Sequence, residues 1–397
     1  MRIAYVNYGR QSGVTPNIER ALAELGHRIV TVDPTGVLAL RNPVTRRLRP
    51  TPRVLMSLAA SVLRHGRPRA MSHRWNTTYA FDQHSRAAGH LLSRVDADVV
   101  LQNGALFAPR TNLPYVLLLD NTCLLEQRHP PVPEAGLGGQ IEFGRSWLER
   151  ERATYHGAAG IATFSEVVRQ SLIDDYGVSP EKIVVTGAGA NVLPGYEQVR
   201  QDDGRTLVFV GKDGWPRKGG PVLLRAFEMA REKWPSLRLL LAGPTERLEL
   251  PQGVTNLGLV PFEEVKRLLG RATIFVLPTL REPFGIAYLD AMLFEVPCIG
   301  TRVGAVPEIL GDAGILVPPG DAAALASAIC ALLEDPKRRS ALGRAGRRRV
   351  MERGYLWPVV ATRLDALLRR ATAKSASSGM PSQADWNPEL EQPPPWA

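Results

Sequence analysis

Short apolar runs recur along the chain at residues 3–6, 29–32, 99–101, 116–119, 160–163 and 183–186. They alternate with stretches in which apolar residues return at helical spacing, notably 18–25. Runs this short and continuous predict strands buried on both faces. A second series repeats the arrangement at 207–210, 237–241, 254–257, 274–277, 298–300 and 315–317. Alternating β and α elements of this kind predict an α/β protein of two doubly wound domains, each a parallel sheet covered by helices. In such sheets the loops at the carboxyl ends of the strands form the binding crevice. Two domains facing each other then enclose a cleft, with loop 9–13 on one side and loops 211–220 and 282–286 on the other.

The polar passage 195–204 lacks apolar periodicity and is the expected linker, which gives domains over 1–195 and 205–354. From 371 to 397 the chain is rich in Ser, Ala and Pro and is expected to be disordered. A chain of 397 residues exceeds one core, and a hydrophobic fraction of 44% suffices for two. No apolar run approaches the roughly 20 residues that span a bilayer. Met1-Arg-Ile-Ala-Tyr-Val6 starts directly as a strand, without the apolar core of a secretory signal. Cys123, Cys298 and Cys330 are far apart and lack metal-ligand spacing, which argues against disulfides and zinc. A cytoplasmic protein is expected.

The net charge of +10 is local. Arg41, Arg46, Arg47, Arg49, Arg53, Arg64, Arg67, Arg69 and Arg74 lie between Asp33 and Asp82, and no carboxylate falls among them. They accompany Val54-Leu-Met-Ser-Leu58 and Val62-Leu63, which predict a helix with an apolar stripe. A basic amphipathic segment can lie on anionic lipid, hold an acidic substrate, or simply face solvent. Nucleic acid is not an expected partner, because Trp75 and Tyr79 are the only aromatics nearby, too few for a stacking platform.

Candidate chemistry concentrates at Glu282-Pro-Phe-Gly-Ile-Ala-Tyr-Leu-Asp290. Pro283 and Gly285 break the backbone after the run 273–277. Ile286, Leu289, Met292 and Leu293 then recur at helical spacing, so strand, loop and helix are predicted. The amides of Phe284, Gly285 and Ile286 would project from the positive end of that helix, where ligand oxygens are favoured. Glu282 precedes the helix end and Asp290 lies two turns inside. Each carboxylate can accept two hydrogen bonds from a vicinal diol, so the pair suits a sugar and a ribose, the two sugars of a sugar nucleotide.

This stretch resembles the E-x7-E signature of the family-four retaining glycosyltransferases (glycosyl transferases group 1), with Asp290 at the second acidic position. The resemblance extends through Val208-Phe-Val-Gly211, Lys218-Gly219, Leu239-Leu-Leu-Ala-Gly243, Val276-Leu-Pro278, Pro297-Cys-Ile-Gly-Thr301, Gly304, Pro307-Glu308-Ile309 and Val317-Pro-Pro-Gly-Asp321. It is weaker in the N-terminal half. It implies the GT-B architecture, two Rossmann-like domains facing each other across a cleft, with the last helix, here 355–370, crossing back to the first domain.

The resemblance further implies transfer of a hexose from a nucleotide diphosphate sugar to a hydroxyl acceptor, with retention of configuration. Glu282 would orient the donor sugar and Asp290 would contact the ribose. Lys212 and Lys218, in Gly211-Lys-Asp-Gly-Trp-Pro-Arg-Lys-Gly219, would stabilise the charge left on the β-phosphate. The family usually has arginine at the first of these positions. Lys212 keeps the charge but not the bidentate fork, and Arg217 is a possible replacement. Gly13 would let the backbone approach the diphosphate or acceptor. Asp120-Asn121 stands where the family often has a histidine near the donor sugar, and either residue could take that role. Val260, in Leu257-Gly-Leu-Val260, belongs to the stretch whose backbone meets the base, and Pro283, Phe284, Gly285 and Ile286 complete the binding set. Glu308 is expected to cap or position the next loop.

No cofactor or metal is expected. Asp96-Ala-Asp98 precedes a predicted strand, where a binding loop does not belong, and the lysines with the helix end already supply positive potential. Two rival classes would also bind a sugar nucleotide in such a cleft. A sugar-nucleotide epimerase would convert donor without acceptor. A non-catalytic binding protein is favoured by Lys212, Asp290 and the absent histidine. The arginine segment 41–74 suggests an acceptor that is anionic or presented at the inner face of a membrane.

Overall fold

The computed structural model describes residues 1–9, 13–41, 47–48, 50–67, 70–71, 73–129, 142–193, 201–212 and 214–377. Arg46, Arg49, Arg69, most of the expected linker and the tail beyond 377 lie outside the described residues.

The N-terminal lobe carries β1 (Arg2–Val6), β2 (Arg28–Val32), β3 (Val99–Asn103), β4 (Tyr115–Leu119), β5 (Gly160–Thr163) and β6 (Ile183–Val185). All pair in parallel, in the order β2-β1-β3-β4-β5-β6. Helices α1 (Val14–Glu24), α2 (Pro52–His65), α3 (Thr78–Leu92), α4 (Cys123–Gln127), α5 (Arg145–Gly157) and α6 (Glu166–Asp174) belong to this lobe. The second lobe carries β7 (Thr206–Val210), β8 (Arg238–Ala242), β9 (Val254–Asn256), β10 (Ile274–Val276), β11 (Cys298–Thr301) and β12 (Gly314–Val317), with α7 (Gly220–Lys233), α8 (Phe262–Arg271), α9 (Ile286–Leu293), α10 (Val306–Leu310), α11 (Ala322–Glu334) and α12 (Pro336–Arg353), and is followed by α13 (Trp357–Ser377). Its parallel order is β12-β11-β10-β7-β8-β9.

Both sheets reverse direction beside their first strand. The chain steps from β1 to β2 and returns to the other side of β1 as β3; it steps from β7 to β8 and β9 and returns beside β7 as β10. Loops on either side of such a reversal diverge and leave a crevice at the carboxyl ends of the strands. The loops after β1, β7 and β10 therefore occupy the crevice ends of their sheets. In the inner strands side chains facing both ways are buried, as in β4, where Val116, Leu117, Leu118 and Leu119 are all inaccessible, whereas the edge strands β2 and β9 are only partly covered.

After α12 the chain returns to the first lobe. In α13, Trp357, Val360, Ala361, Leu364, Leu367 and Leu368 are buried, and the helix packs on α1, β3, β4 and β5. It continues to Ser377, past the point where disorder was expected to begin at 371. Ala371 is buried against the core, and the alanines and lysine that follow favour continuation of a helix already anchored.

Helix α2 forms where Val54-Leu-Met-Ser-Leu58 and Val62-Leu63 predict it, but its faces are set by its surroundings. Val54, Ser57 and Ser61 turn inward, and the two serine hydroxyls donate to the carbonyls of Arg74 and Ala70. Leu55, Met56, Val62 and Leu63 are left facing out.

Candidate functional site

Between the lobes lies a cavity of about 940 Å³ with walls from both. Gly13 and Asp120 line it from the first lobe. Lys212, Lys218, Val260, Glu282, Pro283, Phe284, Gly285, Ile286 and Asp290 line it from the second. Gly13 and Asp290, 277 positions apart in sequence, thus share one space because the sheet reversals aim their loops at it.

The loop after β7 ends at Gly219, which has φ 76° and caps α7. A Cβ there would lie 1.8 Å from the Pro278 carbonyl oxygen, so only glycine lets this loop close against the loop after β10. That closure brings Lys218 Nζ to Glu282 Oε2, an ion pair with both side chains largely buried. Burial pushes the Lys218 ammonium below its usual range, and Glu282 opposes that shift. Gly304 holds the acid from behind: with φ 50°, its missing Cβ would sit 1.9 Å from the Glu282 carbonyl oxygen.

Lys212 is exposed on the cavity wall. Arg217 does not replace it. Its guanidinium donates to the Arg281 carbonyl oxygen at 2.8 Å and holds the two loops together instead of lining the cavity.

Of the pair standing where a histidine was expected, Asp120 lines the cavity, whereas Asn121 donates to Glu126 Oε2 at 2.9 Å. Asp120 is reached by solvent yet walled in by protein. That desolvation, reinforced by the charges of Glu282 and Glu126, pushes its carboxyl up to about 6. Asp290 is buried on α9, and burial pushes its carboxyl up to about 7 against the pull of the amides of Val192 and Asn191.

The ring of Phe284 is buried and packs edge-to-face on Phe164 and Tyr355, so this side chain joins the lobes; only its backbone is left to serve a ligand. Glu308 is also a lobe contact. Its Oε2 accepts from the Glu166 amide at 2.8 Å and so caps α6 of the opposite lobe, not the next loop of its own. Asp96 and Asp98 pair with Arg2 at the amino end of the first sheet, away from the cavity.

Sequence reasoning missed Tyr8, Asn17, Arg20, Asn191, Phe262 and Lys266, which also line the cavity. Asn17 and Arg20 face the same way as Gly13 because they lie one and two turns into α1. That periodicity was readable. Asn191 carried no sequence signal.

Residues 204–335, the body of the second lobe, match the family described as Glycosyl transferases group 1. The match is confined to this lobe, about a third of the chain. Among curated relatives, the MMP alpha-(1->4)-mannosyltransferase of Mycolicibacterium hassiacum is 29% identical over 252 residues, 59% of this chain and 60% of the relative. The phosphatidyl-myo-inositol mannosyltransferase of Mycobacterium leprae is 33% identical over 187 residues, 45% of this chain and 48% of the relative. The chain thus spans less than two thirds of these relatives' lengths. Among solved structures, the sucrose-phosphate synthase of Thermosynechococcus elongatus superposes with a TM-score of 0.70 at 20% identity, over 94% of this chain and 100% of that one. This likeness shows the GT-B fold across both lobes.

Proposed function

We propose that the protein is a retaining, metal-independent glycosyltransferase that moves a hexose from a nucleotide diphosphate sugar to a hydroxyl acceptor. The observation that carries this reading is the Lys218–Glu282 pair, set at the reversal point of the second sheet and facing a cavity walled by both lobes. In the reaction, the acceptor oxygen bonds to the anomeric carbon from the face the diphosphate leaves. The bond from that carbon to the β-phosphate oxygen breaks, and the departing phosphate oxygen takes the acceptor's proton. Lys218 and Lys212 stabilise the charge on the diphosphate, which matters most as the bond breaks. Glu282 accepts hydrogen bonds from the sugar hydroxyls and orients the ring. Gly13 admits the diphosphate close to the backbone, and Val260 lies beside the base. Two mannosyltransferases among the relatives agree with a hexose donor.

Thermal-shift titration with UDP-, GDP- and ADP-sugars tests the donor, since a preferred ligand raises apparent stability by mass action. Nucleotide release in the presence of an acceptor, undiminished by EDTA, tests the transfer. Conversion of donor with no acceptor present would instead favour an epimerase. Binding with no nucleotide release in any acceptor screen would leave a binding protein.

The acceptor, in the same proposal, is presented at an anionic membrane surface, with the protein working in the cytoplasm and peripheral to the inner leaflet. Helix α2 supports this. Leu63 is 89% exposed and Leu48 70%, with Leu55, Met56 and Met71 also outward, among Arg41, Arg47, Arg53, Arg64 and Arg67. Apolar side chains ringed by guanidinium groups match the acyl boundary and the phosphates above it. No helix among the described residues is long and apolar enough to cross a membrane. Replacement of Leu55, Met56 and Leu63 by serine should abolish sedimentation with anionic vesicles while sparing donor binding; unchanged sedimentation would return α2 to a solvated face.

A further inference from the structure

The second acid of the motif already has partners. Asp290 Oδ1 accepts from the backbone amides of Asn191 at 2.7 Å and Val192 at 2.9 Å, and Oδ2 faces Asn191 Nδ2 at 3.4 Å. Asn191 and Val192 follow β6, where the chain leaves the first lobe. Beside them, Ala190 bridges to Leu356 where the chain comes back. Asn191 Oδ1 in turn accepts from Asn17 Nδ2 at 2.9 Å, and that amide also donates to the Gly13 carbonyl oxygen at 2.9 Å. The fit at the far end is close: a Cβ on Gly13 would lie 2.5 Å from Asn191 Oδ1. A continuous polar strap therefore runs from α9 of one lobe, through the crossing segment, to the turn after β1 of the other. Gly13, Asn17, Asn191 and Asp290 all lie on the cavity wall.

We propose that Asp290 is a positioning residue: it fixes the crossing segment, and through Asn191 and Asn17 the Gly13 turn, relative to α9, instead of gripping the ribose of the donor. Two features of the residue fit this work. Aspartate is one methylene shorter than glutamate, which keeps its carboxylate close to the helix and within reach of the passing backbone. Tyr288 to Leu293 are buried throughout, so α9 is a rigid base for it. A buried carboxylate must find donors, and consecutive backbone amides supply them without side-chain freedom to freeze. Turning Asp290 to a ribose would strip those amides of their acceptor. The proposal rests on the glycosyltransferase reading for the identity of the ligand but not for the strap itself.

The test uses the intact chain with Asp290→Ala, and Asp290→Asn as the gentler variant should the first fail to fold. Affinities for UDP, GDP and ADP are measured by calorimetry, then for the 2′,3′-dideoxy form of the tightest binder, together with X-ray scattering of each protein without ligand. A strap predicts that the variants bind nucleotide roughly tenfold more weakly. It also predicts that loss of the ribose hydroxyls weakens binding by the same factor in native and variant protein, and that lobe separation shifts in the variants. A ribose ligand predicts that this factor falls to one in the variants while scattering is unchanged, and that result overturns the proposal. If native protein binds none of the nucleotides, the glycosyltransferase reading falls, and scattering alone decides: unaltered lobe separation in the variants overturns the strap as well.

Discussion

Lys218 Nζ donates to Glu282 Oε2, so the cation of the loop after β7 and the acid of the loop after β10 hold each other across the reversal point of the second sheet. In the proposed reaction the pair is pre-set where the sugar and its diphosphate meet. Neither group has to be drawn in from solvent when a donor binds.

Lys218→Ala should lower turnover by roughly two to three orders of magnitude, the usual effect of losing one preorganised contact to developing charge. Steady-state rates at saturating donor measure it. Near-native turnover would remove Lys218 from the mechanism.

Glu282→Ala leaves the Lys218 ammonium buried without its counter-charge. Breaking a buried pair from one side typically costs about 3 to 5 kcal/mol. Burial already holds the lysine below its usual range and Glu282 pulls it back up, so the variant's lysine must titrate lower still. A lysine lowered in the folded state costs stability at low pH, and the cost fades as pH rises from the folded toward the unfolded value. The gap in Tm between native and Glu282→Ala protein should therefore narrow from pH 7 to pH 10. A constant gap would contradict the burial argument.

Asp290 gives the opposite sign. Its carboxyl is raised to about 7 in the folded chain, while in the unfolded chain it titrates near 4. Between those values the unfolded state releases a proton that the folded state keeps, so this residue makes stability fall as pH rises through the window. Asp290→Asn replaces the charged acceptor of the two amides by a neutral, weaker one and loses the titration. Its Tm relative to native should rise between pH 4 and pH 7, then level off. Parallel profiles for the two proteins would show that Asp290 does not titrate there.

Asp120 faces Glu282 in the cleft and is pushed up to about 6. If its ionised form receives the donor, kcat/KM should drop on the acid side with an apparent value near 6. Asp120→Asn should erase that limb. Survival of the limb in the variant would assign it to another group.

The inner strands were legible because burial on both faces writes itself as short continuous apolar runs; the edge strands β2 and β9 appear where expected but are only partly buried. The glycine and proline breaks at 283 and 285 likewise marked the loop that enters the cleft. Helix α2 was legible as a helix but not by its faces. Ser57 and Ser61 could turn inward only because the carbonyls of Arg74 and Ala70 wait for them, and nothing within the helix announces those partners.

What the sequence determined by itself was local: where strands and helices lie, which loops carry charge and glycine, and hence the two doubly wound sheets. Tertiary structure alone decided the pairings across the lobes, Asp290 with the amides of Asn191 and Val192 and Glu308 with the cap of α6, and, between two loops of the second lobe, Arg217 with the Arg281 carbonyl. Periodicity reports whether a residue is buried. The partner of a buried polar group is fixed by how two separately folded sheets are set against each other, and that relation has no period along the chain.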